Sequence, residues 1–120
     1  DKASAPDKSA GVIAVHILRE TIRWGVNHPD HNRAQLEIWL WAERNDQALA
    51  ARLYDKFIES CKDLLRDASS PLSEDRLETV TRVIVALVDG FGMQLGTHGD
   101  EKIIMRDVET AVAMLDAYLG

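Results

Sequence analysis

The sequence predicts an all-α fold of five helices, and three observations carry that prediction. Apolar residues recur at helical spacing in five successive segments. Ala, Leu, Glu and Arg are abundant while only three prolines occur, a balance that favours helix over strand. The intervals carry start and stop chemistry: Asn27-His28-Pro29, Asn45-Asp46, Ala68-Ser69-Ser70-Pro71-Leu72 and Gly96-Thr97-His98-Gly99.

Residues 1–10 are small and polar and read as a flexible tail or linker, leaving 11–120 as one domain. The first helix is expected over 12–26 and stops before Pro29, which disfavours helix in the residue ahead of it. Ile13, Ala14, Val15, Ile17, Leu18, Ile22, Trp24 and Val26 cover more than half of its circumference, so it should be covered on more than one side. The second, over 30–44, carries Leu36, Ile38, Trp39, Leu40 and Trp41. Trp39 and Trp41 are two residues apart and must point to nearly opposite sides.

Asp46 is placed to cap the third helix, 47–67, where Leu49, Leu53, Phe57, Cys61 and Leu64 form one stripe widened by Ala50, Tyr54, Ile58 and Leu65. Ser73 caps the fourth, which runs to about Leu95, with Glu74 and Asp75 suited to its first turn. Asp89-Gly90 is ordinarily a turn signal. Leu87, Phe91 and Leu95 continue past it at helical spacing, so the helix is expected to stay intact. The fifth, 101–119, places Ile104, Val108, Ala111, Val112, Leu115 and Tyr118 on one face.

Fourteen Lys and Arg stand against twenty Asp and Glu, a net charge of −6 that argues against a phosphate-binding surface. One cysteine allows neither an internal disulfide nor a cysteine-based zinc site, and it fits a reducing cytoplasm. Without a signal peptide or an apolar run of spanning length, the expectation is a soluble cytoplasmic protein that does not engage membranes.

His16 with Glu20, and His28 with His31, have spacings that metal ligands also use. His16 lies on a polar arc and the second pair straddles a Pro-containing turn, so surface or capping roles are expected, with no metal and no cofactor. Cys61 sits on an apolar stripe as a small hydrophobe without an activating partner. No nucleophile elbow, phosphate-binding loop or dinucleotide motif occurs, and no catalytic residue is assigned.

The fourth helix is apolar on two sides. One stripe is Leu77, Val80, Ile84, Val88, Phe91 and Leu95; the other is Val83, Ala86, Leu87 and Gly90, reaching Met93 and Gln94. A chain of this size has difficulty covering both, and Ala86 and Gly90 would let another helix approach closely. The second stripe, with the last helix beside it, is therefore read as a symmetric interface in a dimeric four-helix bundle. The interface residues expected are Val83, Ala86, Leu87, Gly90, Gln94, Val108, Ala111, Val112 and Leu115.

Three ordered stretches also carry a family resemblance. Trp41-Ala42-Glu43-Arg44-Asn45-Asp46 followed by Ala48-Leu49-Ala50 resembles the WAEA…RDP.L passage of TetR-family C-terminal domains. Residues 85–95 resemble that family's ALxDGLxLQLL helix, and 108–119 resemble its closing helix, nearest to the subgroup of choline-responsive repressors.

The resemblance implies a five-helix regulatory domain whose last two helices dimerise and whose earlier helices enclose an inducer pocket. DNA would be reached only through an N-terminal helix-turn-helix head, to which nothing in this sequence corresponds. Trp24, Leu36, Trp39, Trp41, Leu53, Phe57, Phe91 and Met93 are the expected pocket residues, suited to a small apolar or cationic effector. The alternative is a helical dimerisation or protein-interaction module without a small-molecule site.

Overall fold

The computed structural model describes residues 8–120, which form five α-helices and no strand. They are α1 (Ala10–Asn27), α2 (Pro29–Asn45), α3 (Gln47–Arg66), α4 (Glu74–His98) and α5 (Glu101–Leu119). Most of the expected 1–10 tail, residues 1–7, lies outside the described residues.

The helix starts follow from side-chain caps that each accept a backbone N–H from the first turn. Asp46 Oδ1 accepts from Leu49 N at 3.1 Å, Ser73 Oγ from Arg76 N at 3.3 Å, and Asp100 Oδ1 from Ile103 N at 3.2 Å. Ser9 Oγ accepts from Val12 N at 3.2 Å, so α1 begins two residues earlier than periodicity alone indicates, and Ala10 is already buried. Between α1 and α2 stands only His28, whose ring Nδ1 donates to the Trp24 carbonyl at 2.9 Å, with Pro29 opening α2.

Helix α4 outruns its expected end by about one turn. Gly96 and Thr97 remain helical, the Thr97 hydroxyl donates to the Met93 carbonyl at 2.8 Å, and the stop falls at Gly99. Gly99 takes a left-handed conformation (φ 71°) and its N–H returns to Leu95 O at 2.9 Å, the geometry a glycine terminates most readily. Asp89-Gly90 stays within the helix.

Helix α1 packs against all four others, most extensively α5, and α4 also packs against all four, most extensively α1 and α3. The core is continuous through Ala14, Ile17, Leu18, Ile84, Val85 and Val108. An Arg19–Glu109 pair fastens α1 to α5 with two near-parallel hydrogen bonds, 2.8 Å from Nε and 2.7 Å from a terminal nitrogen. By contrast α2 fully buries a single residue, Ala42. It lies across α1, α3 and α4 as a cover rather than a core element.

Candidate functional site: a cavity beneath the second helix

The cover does not close onto a filled core. Between α1, α2, α3 and α4 lies a cavity of about 980 Å³, open to solvent on one side. That is at the upper end of the range typical of small-molecule sites, about 300–1,000 Å³. Its wall is mainly apolar, with Ile22 and Trp24 from α1, Leu36 and Trp39 from α2, Leu53 and Phe57 from α3, and Val88, Met93 and Leu95 from α4.

Six of the eight residues expected from sequence therefore meet in one place: Trp24, Leu36, Trp39, Leu53, Phe57 and Met93. Two do not. Phe91 turns away from the cavity into the buried core cluster. Trp41 is 57% exposed, because two helical positions beyond Trp39 carry its side chain to the outer surface of α2.

A few polar groups interrupt the apolar wall. Tyr54 and Asp89 face each other across α3 and α4. Burial pushes the Asp89 carboxyl above its ordinary range, partly offset by the facing Tyr54 hydroxyl. Tyr54 is pushed up as well, first by burial and then by the Asp89 charge. The Tyr54 ring also lies 6.3 Å from that of Trp39, whose Nε1 is buried without an acceptor among the described residues.

Trp24 is stacked on its other side by His28, with ring centroids 4.1 Å apart, and edged by His31 at 4.9 Å. The two histidines thus serve a turn and an aromatic contact. No cluster of three or more His, Cys, Asp or Glu suited to a metal occurs among the described residues. Cys61 is buried, and burial raises its thiol pKa.

The family described as BetI-type transcriptional repressor, C-terminal, matches residues 14–120. The chain belongs to that family. No curated protein and no solved structure matches it.

Membership makes this a TetR-type regulatory domain, of a family that represses transcription rather than catalysing a reaction. The match opens within α1 and runs through α5, so it spans all four walls of the cavity. No helix among the described residues is long and apolar enough to cross a membrane.

The residues expected to pair two copies of the BetI-type domain divide into two groups. On α4, Val83, Ala86, Gly90 and Gln94 are exposed and Leu87 is half-buried, and a β-carbon built on Gly90 would meet nothing within 4 Å. On α5, Val108, Ala111, Val112 and Leu115 are buried within their own chain and form no surface. The more apolar stripe of α5 is claimed by α1 and α4, leaving Ile103, Met114 and Tyr118 outward.

Sequence reasoning missed Asn32, Tyr54 and Asp89 as cavity residues. For Tyr54 a signal existed, since it lies one turn before Phe57 on the same stripe. Asp89 also stood out, as the single ionisable residue between Val83 and Leu95. Nothing local marks Asn32, because its side-chain hydrogen-bond partner is sixty residues away.

Proposed function

We propose that this chain is the effector-sensing and homodimerisation domain of a cytoplasmic TetR-type repressor, taking a small apolar or cationic ligand into the cavity beneath α2. The observation that carries this reading is the cavity itself, a space of about 980 Å³ walled by aromatic and aliphatic side chains. The Asp89 carboxylate provides a polar anchor within it. Indole faces attract cations, and Trp24 and Trp39 both line the space.

Ligand binding would favour one arrangement of α2 against α1 and α4. In a protein that also carries a helix-turn-helix head, that preference would alter how two heads are spaced on DNA. Trp24 and Trp39 are built-in reporters because both line the cavity. Titration with a panel of apolar and cationic compounds should shift their emission saturably. Complete insensitivity across the panel would favour the plain dimerisation module.

For dimerisation, the supporting feature is the weakly charged outer stripe of α4, Val83, Ala86, Leu87, Gly90 and Gln94. From α5 it is joined by the exposed Met114 and by Tyr118, over whose ring the Arg76 guanidinium lies at 5.1 Å. Light scattering should report a dimer at micromolar concentration. Gly90→Leu should convert it to a folded monomer, because its new side chain meets nothing in its own chain. A Gly90→Leu protein of unchanged mass would refute the interface.

A further inference from the structure

Asn32 occupies a crossing of three helices flanked by Gly25, Gly92 and Gly96. It enters from α2, and its Nδ2 donates to the Gly92 carbonyl of α4 at 3.2 Å. β-Carbons built on Gly25 of α1 and Gly92 of α4 would lie 3.5 and 3.4 Å from Asn32 Oδ1. One built on Gly96 would lie 3.7 Å from Asn32 Nδ2 and 3.2 Å from Leu36 Cδ1. The amide is thus within van der Waals reach of both helices, and the one tight position is Gly96 against Leu36.

Beyond this seat lies a second cavity of about 230 Å³, lined among others by Arg33, Thr97, His98 and Glu101. Asn32 and Leu95 line both cavities. They form the wall between the larger apolar space and the smaller polar one. Leu95 belongs to the buried core, whereas Asn32 is a side chain held by a hydrogen bond.

We propose that Asn32 is a specificity-determining residue, a partition that sets the length of ligand the main cavity accepts. The inference rests on reading that cavity as the effector site. An apolar ligand tail growing towards α4 meets an amide bonded to a helix carbonyl. It cannot replace that bond, and moving the amide would cost the part-buried Asn32 Nδ2 its hydrogen-bond partner. The tail stops there, so the cavity selects compact ligands.

The test uses the full chain and straight-chain primary amines from butylamine to dodecylamine, below micelle-forming concentrations, with tryptophan emission as readout. Affinity in the wild type should climb about fourfold per methylene buried and then break off at one chain length. Asn32→Ala should move the break to longer chains, restoring about fourfold per added methylene beyond the wild-type limit. Gly96→Ala, which crowds the lining residue Leu36 from the α4 side, should move it the other way. If both variants fold and keep the wild-type break, the partition is refuted while the effector site stands. Absence of saturable binding to the wild type removes the effector-site reading and this inference with it.

Discussion

The two sides of α1 are built differently. Towards α5 it packs into a solid core in which Ala14, Leu18 and Val108 have no exposed surface. Towards α2 it borders a cavity, and the helix closing that cavity buries one residue fully. The solid side has no room to adjust, while the hollow side can be reshaped by whatever fills it. A domain that senses a ligand needs both, a fixed frame and a soft wall against it.

The largest consequence is an asymmetry in what truncation costs. Leu18→Ala removes a side chain with 0% exposure from the solid side and should cost about 2–5 kcal/mol in chemical denaturation. Leu53→Ala, at a cavity wall position that is 39% exposed, should cost under about 1 kcal/mol and instead weaken ligand binding. Equal losses at the two positions would abolish the distinction between frame and wall.

The buried interior also contains one polar flaw. Thr81 has no exposed surface, and its hydroxyl has no hydrogen-bond partner among the described residues. Thr81→Val keeps the shape and removes the unpaired group, so it should stabilise the domain by about 1 kcal/mol. A loss of stability would mean that the hydroxyl is satisfied in solution.

The frame was far more legible in the sequence than the wall. Helix order, the Asp46 and Ser73 caps and the inward stripe of α4 all follow from local spacing and cap chemistry, and the structure reproduces them. The apolar character of Trp24, Trp39 and Phe57 was equally plain. Whether an apolar side chain faces a filled core or an empty space depends on how far apart the helices stand, which periodicity does not encode. Phe91 and Met93 illustrate this: two residues apart on α4, one enters the core and the other lines the cavity. The α5 stripe shows the same ambiguity, since periodicity finds the buried face without saying whether its partner is the same chain or a second copy.

Two carboxylates carry the contrast into pH dependence with opposite signs. On the hollow side, burial raises Asp89 above its unfolded value of about 3.9. Its protonated form is favoured by folding, so the stability it contributes is full below about pH 3.9 and is lost as pH rises through the folded-state pKa. Asp89→Asn should therefore match the wild type in acid and exceed it at neutral pH. Solvent reaching this half-open site should hold the gain below about 1 kcal/mol. A variant less stable than the wild type at pH 7 would show that the charge is compensated in solution.

On the solid side the sign reverses and the effect is the smallest expected. The Arg19 guanidinium, through its paired hydrogen bonds, holds Glu109 below the usual glutamate range. Its contribution is present above the unfolded value of about 4.3 and is lost as pH falls through the folded-state pKa. Glu109→Gln should thus lower stability slightly at neutral pH and make no difference in strong acid, the mirror image of Asp89→Asn. Both partners are partly open to solvent, so molar salt should erase most of the difference. If instead salt leaves the Glu109→Gln deficit untouched, the pair is acting through the fixed geometry of its two bonds rather than its charge. The junction of α1 with α5 would then be stiffer than a surface ion pair makes it.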